Sequence, residues 1–211
     1  MNKFYTASLI IIALAIGMGI YLYPVMPDLM PSHWNVAGEI DGYMPKTSAL
    51  FIMPIISLIM LLLMMWFPKA DPKQENIAHN KPFYEKVVFA IVLFFFLINC
   101  LTLAVSLGYK IKITSVMVPA LGLLFFFIGK QMENIKPNWF FGIRTPWTIH
   151  NEEIWEKTNK MGSKLFRAFG ILLFCLGFAY PVLSFSILIA FAITLLIWSF
   201  VYPYILWKNK Q

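Results

Sequence analysis

The residues able to do chemistry in this 211-residue chain gather in two stretches. In the first, His33, Asp41 and Tyr43 bring together an imidazole, a carboxylate and a phenol. These are the groups that general acid–base work or metal ligation would use. Zinc needs three or four ligands, however, and this stretch holds a single histidine beside Asp28, Glu39 and Asp41, a thin set. In the second, Arg144, Thr145 and Glu152 stand near His150, the one imidazole in reach. A nucleophile there would need a base and an orienting group, and no such constellation is displayed. HExxH, GxSxG, P-loop and CxxC motifs do not occur in the sequence. Cys100 and Cys175 fall inside apolar tracts, in no metal-ligand spacing, and read as packing residues. The expectation is a protein that is not an enzyme and has no metal or cofactor. Recognition is the chemistry left for both stretches.

The elements that must position these residues follow from where charge is missing. Apolar residues make up 60% of the chain and charged residues 13%, far from the roughly 45–50% and 25% of soluble domains. A helix crossing the hydrocarbon core needs about 20 apolar residues. Tracts 4–27, 47–68 and 87–109 meet that length, 113–129 is shorter but still within the usual range for a spanning helix, and the uncharged run 168–207 is long enough for two spans. Its turn is expected near Tyr180, Pro181 and Ser184, because proline discourages helix continuation. The apolar runs do not alternate, which argues against barrel strands. The fold class expected is therefore all-α, a polytopic membrane protein of six transmembrane helices. The start at Lys3 and the small residues around Ala13-Leu14-Ala15 have the look of a signal peptide. Apolar sequence continues unbroken to Tyr23, so the segment is expected to stay as an anchor. All basic residues except Lys46, Lys110 and Lys112 fall on one side of this arrangement, which predicts that both termini are cytoplasmic. The net charge of +7 is explained by that bias, and no direct nucleic-acid partner is needed. No ionisable residue sits in the middle of a predicted span. Asn99, Thr102, Ser106, Thr194 and Ser199 are expected to make interhelical hydrogen bonds.

Both chemical stretches then fall in loops. The outer one carries Pro31-Ser32-His33-Trp34-Asn35, Gly38, Asp41-Gly42-Tyr43 and Lys46. Prolines and glycines predict a compact hairpin lid, with Trp34 and Tyr43 at the headgroup level. It reads either as an anchor for the first two spans or as a surface that recognises something arriving from outside. The inner loop, 130–164, holds Asn138, Trp139, Phe140, Phe141, Gly142, Ile143, Arg144, Thr145, Pro146, Trp147 and Thr148. A short helix follows, with Asn151 as N-cap, Glu152 and Glu153 in its first turn, Trp155 beside an apolar face, and Gly162 as its stop. An interfacial plug, a docking surface for a cytoplasmic protein and a catalytic loop remain open as readings of this segment.

The string Gly142 to Thr148, followed by Asn151, Glu152, Trp155 and Thr158, resembles the hallmark of the SdpI family of membrane proteins. The string Pro31 to Asn35, with Gly38, Asp41 and Lys46, resembles the domain of unknown function that commonly precedes it. One departure is Asn159-Lys160, where many relatives carry His-Arg. The resemblance implies an immunity protein that protects a bacterium from a secreted toxic peptide which collapses the membrane potential. It also implies a signalling role, in which a small cytoplasmic repressor protein is held at the membrane. The expected organisation is a two-helix hairpin over 1–68 and a four-helix region over 85–207, in the bacterial plasma membrane. Candidate outer-face binding residues are His33, Trp34, Asn35, Asp41, Tyr43 and Lys46. On the inner side they are Asn138, Phe141, Gly142, Arg144, Thr145, Pro146, Trp147, Thr148, Asn151, Glu152 and Trp155. A passive transporter or channel for a small solute or lipid is the alternative from another functional class.

Overall fold

The computed structural model describes residues 2–210, without the side chains of Pro181 and Val182. Seven helices account for most of it: α1 (Lys3–Leu22), α2 (Lys46–Trp66), α3 (Gln74–Ser106), α4 (Thr114–Met132), α5 (Pro146–Ile149), α6 (Glu152–Gly177) and α7 (Pro181–Lys208). Between α1 and α2 the chain forms an antiparallel pair, β1 (Leu29–Trp34) and β2 (Ile40–Pro45). The fold is thus mostly helical rather than all-α. The hairpin arises because Pro27, Pro31 and Pro45 disfavour helix, and because Asn35 and Gly38 close a turn. Gly38, at φ +87°, donates its N–H to the Asn35 carbonyl at 2.9 Å.

Among the described residues, five helices are long and apolar enough to cross a membrane: α1, α2, α3, α4 and α7. The protein is a polytopic membrane protein. The sixth expected span is a different object from the one the charge pattern suggests. The short loop helix ending at Gly162 and the span beginning at Ala168 are one continuous helix, α6. From its start to Arg167 it carries Lys157, Lys160, Lys164 and Arg167, so by composition that part is not an apolar segment. Gly162 is not a stop. It is buried, and Ile143 Cδ1 lies 2.6 Å from where a Cβ would stand, so the missing side chain admits the preceding loop.

The second half of α6 runs antiparallel along α4 at backbone contact. A Cβ on Gly170 would lie 2.6 Å from Phe126 N and 2.7 Å from the Gly122 carbonyl oxygen. Such an approach needs residues without side chains on both helices. In lipid, where apolar burial supplies little drive between helices, close packing of this kind is a principal source of association. The turn expected near Tyr180 and Pro181 is where α6 gives way to α7, with proline at the first helical position.

Helix α3 starts at Gln74 instead of Val87, and its added turns carry Asn76, Asn80, Tyr84 and Glu85 toward the loop between α4 and α5. Both described chain ends lie at that same end of the bundle. The Asn2 side-chain amide donates to Glu85 at 2.5 Å, and Lys210 pairs with Glu153. The hairpin occupies the other end, packed by Met26, Met30, Leu50 and Leu103. Span hydroxyls follow a simpler rule than expected. Ser106 donates to the Thr102 carbonyl at 2.8 Å and Ser199 to the Leu195 carbonyl at 2.6 Å, each within its own helix. A carbonyl one turn back satisfies a lone hydroxyl without any neighbouring helix.

Candidate functional site

At the hairpin end, antiparallel pairing brings β1 and β2 side chains together. His33 Nδ1 lies 2.5 Å from the Asp41 carboxylate, and both side chains reach solvent. Asn35 serves the turn: its carbonyl oxygen accepts from Glu39 N at 3.0 Å and its amide donates to the Glu39 carboxylate at 3.0 Å. Lys46 anchors the base of the hairpin by pairing with Asp28 at 3.0 Å while lying 5.0 Å from the Tyr23 ring centroid. Tyr43 is 60% exposed.

Two adjoining cavities, about 440 and 310 Å³, lie against this hairpin and share His33, Trp34, Thr114 and Val118 in their walls. Asn35, Val36, Asp41, Phe185 and Leu188 complete one, and Ser32, Ile98, Ile113 and Met117 complete the other. Of the sequence candidates, the structure therefore joins His33, Trp34, Asn35 and Asp41 around one groove. Tyr43 and Lys46 are not among its lining residues. Among the described residues no group of three or more His, Cys, Asp or Glu side chains is placed to hold a metal.

At the other end, residues 133–151 form a loop built around buried amides. Asn138, 1% exposed, accepts from Phe140 N at 2.9 Å, from Phe141 N at 2.7 Å and from the Tyr84 hydroxyl at 3.1 Å. Its own amide donates to the Lys136 carbonyl at 2.9 Å. Phe141 packs edge-on against Tyr84, with centroids 4.3 Å apart. Gly142 sits at φ +94°, and a Cβ there would lie 2.5 Å from Asn159 Oδ1. That oxygen accepts from Ile143 N at 2.7 Å, so the residue at 159 pins the loop to α6. Asn159 is thus a buried structural ligand of the loop.

Thr145 caps α5 reciprocally with Thr148, whose hydroxyl also donates to the Ile143 carbonyl at 3.1 Å. Pro146 supplies the first residue of α5 and accepts, through its carbonyl, from His150 Nδ1 at 2.8 Å. Asn151 caps α6 by accepting from Ile154 N at 3.0 Å. Trp155, 1% exposed, donates its indole N–H to the Ile135 carbonyl at 2.7 Å. Most of the motif therefore builds the loop. The side chains it leaves outward are Arg144, which donates to the Trp139 carbonyl, Pro146 and Glu152. Trp147 is half-buried and meets Tyr204 of α7 edge-on at 5.5 Å. Glu152 lines a polar cavity of about 310 Å³ with Glu133, Glu156, His79 and Lys136. Next to it, Lys157 and Lys210 hold the Glu153 carboxyl down at about 2.

Sequence reasoning missed the partners that hold this loop from α3 and the turn before it. Buried Asp71 accepts from Trp139 N at 2.9 Å and from Lys73 N at 2.7 Å. Asn80 accepts from Lys136 N and donates to the Lys136 carbonyl, both at 2.9 Å, and Asn76 donates to the Pro137 carbonyl at 2.7 Å. Their signal was the spacing of Asn76, Asn80 and Tyr84, four residues apart and hence on one helix face. Charged residues around them, from Lys73 to Lys86, mask that periodicity.

Comparison with known proteins accords with both ends. Residues 134–205 match the SdpI/YfhL protein family, and residues 10–58 match a domain of unknown function, DUF1648. A curated relative from Bacillus subtilis (strain 168), named Immunity protein SdpI, is 28% identical over 178 residues. That alignment covers 84% of this chain and 80% of the relative. No solved structure matches.

Proposed function

We propose, from the match of residues 134–205 to the SdpI/YfhL protein family and the likeness to a relative named an immunity protein, that this chain is an immunity protein of a bacterial plasma membrane. It protects its cell from a secreted toxic peptide that would otherwise collapse the membrane potential. The hairpin faces outward and meets the peptide through His33, Trp34, Asn35 and Asp41. Both termini are cytoplasmic, and α6 is counted as the sixth crossing. The chain then divides into a two-helix hairpin over 1–68 and a four-helix region over 85–207.

A second role follows from the way the two ends are joined. The observation that carries it is the backbone contact of α4 with α6 at Gly122 and Gly170. The hairpin turn rests on Thr114 at the start of α4, and the loop 133–151 is bonded to the start of α6 through Asn159. A ligand that prefers one placement of the hairpin can bias the loop only through elements that move together. The α4–α6 pair is such an element. Its loop end offers Arg144, Trp147 and Glu152 to a small cytoplasmic repressor, which is retained at the membrane when toxin is present.

Expression in a bacterium sensitive to a membrane-depolarising peptide tests both roles. Protection by the wild-type chain is expected, and Arg144→Ala should keep protection while losing co-sedimentation of the repressor with membranes. Equal killing of expressing and non-expressing cells overturns the immunity role. Retention of both properties by Arg144→Ala overturns the assignment of signalling to this loop.

A further inference from the structure

The groove beside the hairpin is more selective than an exposed loop would be. Its walls divide by chemistry. Ile98, Met117, Val118, Phe185 and Leu188 make one side apolar, whereas His33, Asn35 and Asp41 offer hydrogen-bonding groups on the other. His33 and Asp41 are the ionisable residues among these walls, and they face each other at 2.5 Å. Among the described residues, neither lysine nor arginine lines either cavity. A phospholipid headgroup needs a cation for its phosphate, and the groove supplies none that is free.

One polar atom is left over. Thr114 Oγ1 is buried without a hydrogen-bond partner, and it lies 2.9 Å from where a Cβ on Gly38 would stand. The hairpin turn thus covers a hydroxyl and gives it nothing to bond. A buried hydroxyl without a partner is costly, so whatever lifts the turn and bonds to this group is favoured.

We propose that this groove, rather than the outward side of the hairpin bearing Tyr43, is the binding site for an uncharged amphipathic peptide segment. Apolar side chains of the segment lie against α4 and α7, its backbone groups face His33 and Asn35, and Thr114 Oγ1 bonds to it as Gly38 moves aside. This inference rests on the immunity reading for its biological role, but the binding it describes can be measured without it.

The test uses the full chain in phosphatidylethanolamine–phosphatidylglycerol vesicles. The probe is an acetylated and amidated 18-residue helix of leucine and serine carrying a dansyl group. Binding is read as the rise in dansyl anisotropy over protein-free vesicles, a signal that the tryptophan added in Val118→Trp does not enter. Saturable binding is expected for wild type, and Val118→Trp, which fills the groove, should abolish it. Thr114→Val keeps shape and removes an unbonded hydroxyl, so the protein should fold normally and bind about three- to tenfold more weakly, the range for one neutral hydrogen bond. Tyr43→Phe should bind as wild type. Lack of saturable binding by wild type, unchanged binding by Val118→Trp or Thr114→Val, or competition by added phosphatidylglycerol would each overturn the proposal. If wild type protects cells and Val118→Trp protects equally, the groove fails and the immunity reading stands. If the groove binds the probe but wild-type cells are killed, the immunity reading fails alone.

Discussion

Replacing Asn138 by alanine should unfasten the loop between α4 and α5. The side chain is 1% exposed and makes four hydrogen bonds. Alanine leaves Phe140 N, Phe141 N and the Tyr84 hydroxyl without their acceptor. The Lys136 carbonyl keeps Asn80 as a donor and loses little. A donor orphaned in a buried place costs about 1–3 kcal/mol, and partial access of water to two of the three lowers the sum to about 3–5 kcal/mol. Tyr84→Phe removes only one of the three donors and leaves Asn138 bonded to Phe140 N and Phe141 N, so its loss should be smaller. Unfolding of the two variants and wild type in dodecyl maltoside, followed by tryptophan emission, gives the comparison, and proteolysis within 133–151 locates the change. The reasoning is refuted if Asn138→Ala lies within about 0.5 kcal/mol of wild type, the ordinary range for surface substitutions, or if Tyr84→Phe is the worse of the pair.

Other consequences follow from the same contacts. Gly170→Leu places atoms where Phe126 N and the Gly122 carbonyl already stand, so α4 and α6 must separate. A loss above the ~1–3 kcal/mol of ordinary overpacking is expected, and so is slower cross-linking of cysteines introduced at 126 and 166. Gly142→Ala adds a Cβ at φ +94°, 2.5 Å from Asn159 Oδ1. Hydrogen exchange at Ile143 N should therefore speed up, whereas Arg144→Ala should leave it unchanged. Glu153 has its folded pKa lowered from 4.5 to about 2 by Lys157 and Lys210. For a lowered carboxylate the tie is present above pH 4.5 and lost as pH falls toward 2, so modification of Lys210 by an amine reagent is unsuitable and tail cleavage is the readout. Acid-stable protease trimming of the C-terminus should rise across that window, and Lys210→Gln should show the raised level already at neutral pH.

What could be read in the sequence depended on how far each signal reached along the chain. The membrane-crossing tracts were legible because charge is absent over whole helices. The helix starts at Asn151 and Pro181 were legible because caps act within a few residues. The continuity of α6 was not, since Gly162 beside lysines has the local look of a stop. Only the contact with Ile143 and Met132 shows it as a packing position. The hairpin pairing was hidden for a similar reason: β1 holds a proline, and its register slips between Pro31 and Trp34. In the site, the motif around 142–148 was visible as a string but not as an architecture. Its anchors, Asp71, Asn80 and Tyr84, lie more than fifty residues away, and no local pattern links them.

The central claim is that this chain shields a membrane from depolarisation by a secreted peptide. A potentiometric dye in a sensitive bacterium, with and without the chain and at matched peptide dose, measures that directly. The account predicts that expressing cells hold their potential while control cells lose it, and that Val118→Trp removes the difference. Equal depolarisation of both strains, with the wild-type chain confirmed in the membrane, would contradict it.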